Sequence, residues 1–211
     1  MPQFDARIPA RPSDLSTYAR IRNAALEGFA ARGVASTSIR DVAAAAGVSP
    51  GLVQHHFGTK TRLREAVDEY ILDVMAEFSR ELAERSEGAE AWPGFGDATT
   101  AWVRDNAVAL RYLARAMIDG DPAAARGFDA LVGIARTSWL APLDRAGALR
   151  PEADRDWAAI HAAVFNLASV LLEPAISRQL PEPFYTPAQL ERWNVATVDL
   201  YRNGLARRED A

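Results

Sequence analysis

The sequence predicts an all-α protein, and three observations support this fold class. Apolar residues recur at three- and four-residue steps through most of the 211 residues, which is the periodicity of amphipathic helices. No stretch shows the alternation of polar and β-branched residues that is typical of a half-buried strand. Capping residues, glycine and proline divide the chain into segments of helical length. At this length the chain can form two small domains, each with a hydrophobic core.

The composition excludes several classes of site. The chain has no cysteine, so disulfide bonds, thiolate metal ligands and a cysteine nucleophile are all excluded. No apolar run precedes Tyr18, which predicts a cytoplasmic protein without a signal peptide. The segment 157–172 is apolar enough to suggest a membrane span, but His161 and Asn166 interrupt it and charged residues flank it. A buried helix is the expected structure there, and no membrane partner is predicted.

Charge is unevenly distributed along the chain. Residues 1–60 carry seven basic and four acidic side chains, whereas residues 61–211 carry 17 basic and 24 acidic ones. A basic N-terminal segment suits a protein that contacts phosphate groups at one end, although an imbalance of this size also arises by chance. Arg7 and Arg11 lie before the first predicted helix. They could form an arm that enters a minor groove of DNA, or they could belong to a frayed terminus.

The first half of the chain contains start and stop signals for four helices. The first helix is predicted to begin near Ser13 or Ser16 and to end before Gly33. Ser38 and Asp41 have the spacing of a capping box, in which each side chain accepts a hydrogen bond from the other residue's backbone. The second, third and fourth helices are predicted at about 38–46, 50–57 and 60–85.

The second and third helices form a predicted helix-turn-helix motif at about residues 36–57. A tight turn containing glycine joins the two helices of such a motif, and Gly47 can adopt the left-handed conformation that ends a helix. Ser49 is a suitable N-cap for the third helix, and Pro50 suits its first position because the missing N–H has no helical partner to lose.

The third helix presents polar groups on the face away from its core. Val53 and Phe57 lie on its inner side. The outward residues are Gly51, Leu52, His55 and His56, with Gln54 at the flank. Glutamine and histidine can hydrogen-bond base edges in a major groove, and glycine allows a close approach of the backbone. The pattern therefore predicts double-stranded DNA as a partner.

This part of the sequence resembles the DNA-binding domain of the TetR family of transcriptional regulators. The resemblance covers about 45 residues almost without a gap, in the family's order and spacing, and is carried by the segments 21–33, 37–49 and 51–63. One position departs from the family, which usually has tyrosine where this chain has Gln54. An amide there can hydrogen-bond adenine, so the operator of a known relative cannot be transferred to this chain.

The resemblance implies roles in DNA binding for nine residues. Ser38 and Arg40, at the start of the second helix, would contact the DNA backbone or a base. Lys60 would hold a phosphate with help from the Thr59 amide and the helix dipole, and an ordinary surface position is the alternative. The residues that would face the major groove are Ser49, Gly51, Leu52, Gln54 and His55.

The adjacent histidines His55 and His56 do not predict a metal site. Neighbouring side chains on a helix diverge by about 100°, and the third histidine, His161, lies in a distant segment. His56 either faces the DNA or packs between the third and fourth helices. We therefore expect no metal and no cofactor.

The second half of the chain is expected to form a helical ligand-binding and dimerisation domain. A polar break at 86–96 precedes helices predicted at about 97–118, 122–146, 152–179 and 187–207. The family resemblance implies a cavity for an unknown small-molecule effector. Its candidate lining residues are Trp102, Met117, His161 and Asn166, and an ordinary core position is the alternative for each.

Apolar stripes on two C-terminal helices predict a homodimer. The last helix carries Leu190, Trp193, Thr197 and Tyr201 at three- and four-residue steps, and the segment 157–172 is apolar on nearly all sides. Together they provide more apolar surface than a monomer is expected to expose. Two helices from each protomer would then form a four-helix bundle about a two-fold axis.

The whole sequence predicts a DNA-binding regulator and not an enzyme. It contains no phosphate-binding loop, zinc-protease motif or serine-hydrolase motif. The predicted domains are 1–60, with the arm and the helix-turn-helix, and 61–211, for ligand sensing and dimerisation, linked by the helix at about 60–85. The resemblance implies a repressor that a small apolar ligand releases from a near-palindromic operator. The alternative is a DNA-binding dimer that senses no ligand.

Overall fold

Apart from one isolated bridge between Leu149 and Ala206, all regular structure is helical in the residues that the computed structural model describes, 16–85 and 91–206. The predicted all-α fold is therefore confirmed. The predicted arm residues Arg7 and Arg11 lie outside the described residues. The helices are α1 (Thr17–Arg32), α2 (Ile39–Ala46), α3 (Pro50–Phe57), α4 (Lys60–Arg85), α5 (Ala91–Asp105), α6 (Ala107–Ile118), α7 (Pro122–Ile134), α8 (Ala141–Arg145), α9 (Arg155–Leu171), α10 (Glu173–Ser177) and α11 (Pro187–Leu205).

The chain divides into two compact units. The first unit comprises the chain up to Val74 together with Asp105–Gly127, and the second comprises Met75–Arg104 and the chain from Phe128 onward. The helix-turn-helix thus shares a unit with α6, and the chain first enters the second unit within α4. The predicted boundary after residue 60 separates a DNA-binding role from ligand sensing and dimerisation, and this division of function stays a prediction.

The connection between α1 and α2 is fixed by Thr37. The side chain of Ser16 caps α1, and Gly33, with a φ of 83°, ends it. The buried Thr37 hydroxyl then lies 3.0 Å from the Gly28 carbonyl oxygen and 2.9 Å from that of Gly33. A Cβ on Gly28 would lie 2.8 Å from the Thr37 methyl group, so this close approach requires glycine.

Apolar side chains from α1, α3, α4 and α6 hold the first unit together. Helix α6 packs against α1, where the rings of Phe29 and Tyr112 are 6.3 Å apart. The core residues with at most 1% exposure include Ile21, Leu26, Phe29, Val53, Leu63 and Val67. Burial of each large apolar side chain contributes about 1.5–3 kcal/mol, so this core fixes α3 against the rest of the unit.

The prediction of one helix at 97–118 was wrong at its start and in its interior. Helix α5 begins at Ala91, and the chain breaks at Asn106 before α6. Pro93 is compatible with helix because the N–H groups of a first turn have no intrahelical partner. Gly96 serves packing rather than a break, since a Cβ at this position would overlap Asn194 and Val198 of α11.

Two other predicted helices contain irregular segments. The helix predicted at 122–146 includes a π-helical segment, Ala135–Leu140, between α7 and α8. The helix predicted at 152–179 ends at Leu171, and the short α10 follows with Pro174 in its first turn. Pro174 has no N–H to donate to a carbonyl one turn earlier, and its ring would crowd that carbonyl, which favours an end to α9 just before it.

An aromatic cluster forms the centre of the second unit. The fully buried ring of Trp139 stacks on Phe95 with their centroids 3.9 Å apart. Trp92 and Tyr201 meet the same indole at 6.2 Å and 5.0 Å in edge-to-face geometry. The cluster therefore joins α5, the π-helical segment and α11.

Candidate nucleic-acid interface

Helices α2 and α3 are joined by the tight turn that the sequence predicts. Gly47 is left-handed, with φ 65° and ψ 40°, and the Val48 amide donates to the Ala43 carbonyl at 2.9 Å. The Arg20 guanidinium of α1 donates to the Ala46 carbonyl at 2.6 Å, which places a positive charge at the C-terminal end of α2. Both the backbone and α1 therefore fix the turn.

The predicted capping box begins α2. Ser38 Oγ accepts from the Asp41 amide at 3.1 Å and donates to the Asp41 carboxylate at 2.7 Å, and the Ser38 amide donates to the same carboxylate at 2.8 Å. These hydrogen bonds hold the pKa of Asp41 below its usual value, and the one from the Ser38 hydroxyl has the largest effect. Ser38 thus has a structural role besides its predicted DNA contact, and Arg40 nearby is exposed.

Helix α3 has the buried and exposed sides that the sequence predicts. Val53 and Phe57 are buried, and Ser49 Oγ accepts from the Leu52 amide at 3.2 Å to cap the helix. The five predicted groove residues are all exposed, namely Ser49, Gly51, Leu52, Gln54 and His55. Their side chains are therefore accessible to a partner, while the helix that carries them is anchored from behind.

A pair of aromatic contacts braces the C-terminal end of α3. The ring of Tyr18 in α1 stacks on Phe57 with the centroids 4.5 Å apart and meets His56 edge-to-face at 6.3 Å. His56 thus contacts α1. Packing between α3 and α4 is one of the alternatives predicted for this residue from the sequence, and a contact with α1 was not predicted. Tyr18 was not among the predicted site residues, and its aromatic side chain in the first turn of α1 is the sequence feature that could have indicated this contact.

Lys60 is the first residue of α4 and reaches back to the connection between α1 and α2. Its Nζ donates to the Ala35 carbonyl at 3.2 Å. Thr59 Oγ1 accepts from the Arg62 amide at 3.2 Å and caps the helix. The ammonium group therefore lies at a helix N-terminus, where the helix dipole also favours an anion. A phosphate would compete with the Ala35 carbonyl for this ammonium.

A polar network ties α4 to α6 and to the turn after α6. Arg64 forms ion pairs with Asp121 at 2.6 Å and with Asp68 at 3.5 Å, and the Tyr112 hydroxyl donates to Asp68 at 2.6 Å. Burial, followed by the hydrogen bond to Asp68, raises the pKa of Tyr112 well above its ordinary value, so the hydroxyl stays protonated. The network therefore connects α6 to the part of α4 that lies one to two turns after Lys60.

The four predicted pocket residues have different surroundings. Trp102 is buried and stacks on Phe78 of α4 with the centroids 4.8 Å apart. Asn166 and Met117 are half-buried, and Met117 belongs to the first unit whereas the other three belong to the second. His161 lies on the exposed side of α9, not in the interior that the sequence analysis assigns to it.

Three cavities of the described residues are lined by other side chains. A cavity of about 20 Å³ lies among α4, α6 and α7. A groove of about 550 Å³ lies between the end of α1, residues 33–36 and α6. A further groove of about 650 Å³ lies between α10 and α11, and Trp193 is part of its wall. The proposed pocket residues therefore remain a prediction.

Helix α9 exposes its larger apolar side chains and buries its smaller ones. Its inner side consists largely of Ala158, Ala159, Ala162, Ala163, Leu167 and Val170. The exposed side, here called the α9 face, comprises Trp157, His161, Val164, Phe165, Leu171 and Leu172. The ring of His161 lies 5.3 Å from Trp157 and 6.2 Å from Phe165. A contiguous apolar face of this kind marks an interaction surface.

Helix α11 divides the predicted dimer residues between core and surface. Leu190 and Tyr201 are only 4% and 6% exposed within one protomer, so they have little surface to offer a partner. Trp193 and Thr197 are half-buried. The large apolar side chains that α11 exposes are those of Val195 and Leu200.

Neither a metal site nor a membrane span is found among residues 16–85 and 91–206. No three histidine, aspartate or glutamate side chains in these ranges are grouped so that they could hold a metal ion. No helix there is both long and apolar enough to cross a bilayer.

Two family profiles match the chain. Residues 21–67 match the profile described as bacterial regulatory proteins, tetR family, and residues 105–206 match the profile described as tetracyclin repressor-like, C-terminal domain. The chain is 35% identical to the HTH-type transcriptional regulatory protein RaaS of Mycobacterium tuberculosis over 144 residues, which are 68% of this chain and 65% of that protein. It is 33% identical to the HTH-type transcriptional repressor Rv3405c of the same organism over 150 residues, or 71% of this chain and 68% of the relative.

A solved structure shares the fold over almost the whole chain. The ketosteroid transcriptional regulator KstR2 of Mycobacterium tuberculosis matches with a TM-score of 0.67 and 18% identity, over 96% of this chain and 100% of that one. The relatives are regulators of transcription and not enzymes. On the strength of both profiles and of these sequence relatives, the chain belongs to the TetR family of helix-turn-helix, DNA-binding transcriptional regulators.

Proposed function

We propose that the chain is a homodimeric repressor that binds a near-palindromic operator with α3 of each protomer in a major groove. The observation that carries this proposal is the surface of α3, where five predicted groove residues are exposed while Val53 and Phe57 anchor the helix. A short helix braced from behind can enter a major groove and place its N-terminal residues against base edges. The name of the relative Rv3405c, a transcriptional repressor, supports repression as the outcome.

The proposed dimer rests on the α9 face and on the small size of α3. One eight-residue helix contacts too few base pairs to distinguish an operator from the rest of a genome. Two copies related by a two-fold axis contact two half-sites, and the palindrome of the operator then mirrors the symmetry of the protein. The α9 face, with Trp157 57% exposed, supplies the apolar surface that such an association would bury.

Selection of bound fragments from genomic DNA of the source organism tests the proposal. We expect enrichment of a near-palindromic sequence whose half-sites lie about one helical turn or slightly more apart, centre to centre. Affinity for the selected fragment should fall steeply with salt because phosphate contacts release counterions. Enrichment of no sequence at all, or of a motif without internal symmetry, would contradict the proposal.

Substitutions at Lys60 and on α3 should have different effects on DNA binding. Lys60→Ala removes a phosphate contact, so it should weaken binding to all sequences alike and reduce the salt dependence. Gln54→Ala and His55→Ala should instead relax preference at particular base pairs, by about 1–3 kcal/mol each. Titration of the operator and of single-base variants by fluorescence anisotropy measures both effects. A uniform loss with all three variants would contradict the assignment of the recognition surface.

We further propose that a small, largely apolar effector lowers DNA affinity through α4. This helix begins at Lys60, and its Phe78 stacks on the predicted pocket residue Trp102. An effector that moves Trp102 therefore acts on the same helix that starts at the predicted phosphate contact. Asn166 would orient the ligand by hydrogen bonding. A DNA-binding dimer without an effector is the second candidate, favoured by the exposed position of His161.

The effector proposal predicts reciprocal coupling between the two ligands. An effector found by thermal-shift screening should weaken operator binding by a certain factor, and operator DNA must weaken effector binding by the same factor. Typical couplings lie at about 5- to 150-fold. Calorimetric titration of the effector into free and DNA-bound dimer measures this factor. Equal effector affinity in the two titrations would remove the sensor role and leave the DNA-binding role intact.

A further inference from the structure

Leu52 is a large apolar residue of α3 that is not one of the helix's buried anchors. It lies in the first turn of the helix and is 36% exposed, while Val53 and Phe57 provide the buried anchors. On a helix with steps of about 100°, His55 lies opposite those anchors, and Gly51 and Leu52 lie on either side of His55. Leu52 therefore belongs to the exposed side of α3, near the end that enters a groove first.

A leucine on this surface limits the bases that can lie against it. In the major groove the cytosine amino group and the guanine oxygen need hydrogen-bond partners, which leucine lacks, so such a base edge loses water without replacement. Thymine presents a C5 methyl group instead, which is the only apolar group among the major-groove edges of the four bases. Gly51, the residue before Leu52, has no side chain that would hold the helix away from this methyl group.

We propose that Leu52 recognises the 5-methyl group of a pyrimidine, normally thymine, in each operator half-site. This inference rests on the proposed docking of α3 in the major groove and adds a base preference to it. Contact with one buried methyl group contributes about a fourfold gain in affinity per half-site, or roughly 15-fold for two half-sites. The same contact accepts 5-methylcytosine, which carries a methyl group at the equivalent ring position.

A cycle of DNA and protein changes tests the proposal. Each thymine of the selected operator is replaced in turn by uracil, which lacks only the methyl group, in both half-sites together. Wild-type protein should lose roughly 15-fold in affinity at one symmetric thymine pair. Leu52→Ala should bind the thymine and uracil operators equally at that pair, because the side chain that contacts the methyl group is gone. Ile118→Ala, a truncation of another exposed apolar residue, should keep the wild-type sensitivity.

A second comparison uses the same pair of positions. With cytosine·guanine in place of thymine·adenine, 5-methylation of the cytosine should raise wild-type affinity roughly 15-fold and leave Leu52→Ala unchanged. Circular dichroism checks that Leu52→Ala is folded. If Leu52→Ala binds the uracil operator with the same affinity as the wild-type protein, the rest of its DNA-binding surface is intact.

The outcomes separate this inference from the proposed function. Wild-type protein that selects no DNA sequence overturns both. An operator for which no uracil replacement changes wild-type affinity overturns the inference and leaves the proposed function in place. A uracil effect that persists unchanged in Leu52→Ala likewise overturns it, since another residue then contacts the methyl group.

Discussion

Val164→Arg is expected to convert the dimer into monomers at micromolar concentration. Val164 lies within the α9 face and is 42% exposed in one protomer, so an arginine there fits the isolated protomer without entering its core. In a two-fold interface the same substitution buries two unpaired charges against Trp157 and Phe165 or their counterparts. An unpaired buried charge costs several kcal/mol, so association should weaken by at least about 100-fold.

Sedimentation velocity measures this effect, and Ile118→Arg serves as the matched control. Ile118 is an exposed apolar residue of α6, in the first unit, so the control adds the same charge at an apolar residue that does not belong to the α9 face. The control should remain dimeric, and circular dichroism should show the wild-type helix content in both variants. A dimer of Val164→Arg at the wild-type dissociation constant would show that the α9 face is not the interface.

The choice of Val164 depends on the structure, because helical periodicity alone does not identify which face of an apolar helix points inward. Leu190 and Tyr201 form a regular stripe in the sequence, but that stripe is the inner side of α11. Tyr201 packs against Trp139 and Phe95, so a charge there would unfold the second unit instead of separating protomers. In α9 the alanines lie inside and the aromatic residues outside, the reverse of what side-chain size suggests.

The helix-turn-helix could be predicted closely because its signals are local. The Ser38–Asp41 capping box, the left-handed Gly47 and the Ser49–Pro50 start depend on residues within a few positions of one another. The contacts that brace the motif were not predictable in this way. Arg20 reaches the end of α2 across 26 positions of sequence, and no spacing rule connects it to Ala46.

The errors at 91–106 have a related cause. This segment is rich in glycine and proline, which is typical of a loop. Gly96, however, is required by the close approach of α11 and not by a turn. Only the tertiary packing against Asn194 and Val198 reveals this role. The helix N-terminus also accepts Pro93 without cost to hydrogen bonding. Local sequence signals therefore define helix ends well where capping side chains are present, and poorly where small residues serve packing.

Insertion of five base pairs between the two half-sites of the operator is expected to abolish the affinity gained from the dimer. Five base pairs turn one half-site by about half a helical turn, to the opposite face of the duplex. Only one α3 of the dimer can then enter a groove. The second contact of a linked pair raises affinity by about 10²- to 10⁴-fold, so wild-type affinity should fall by that factor.

Comparison with Val164→Arg shows whether the loss comes from the dimer geometry. The monomeric variant has no second α3 to lose, so it should bind the wild-type and the lengthened operator with the same weak affinity. Wild-type protein on the lengthened operator should approach that affinity, because both cases leave one protomer on one half-site. Electrophoretic mobility shifts measure all four combinations. If the wild-type protein binds the lengthened operator as tightly as the original one, the two half-sites are bound independently, and the two-fold arrangement of α3 is wrong even if a dimer exists in solution.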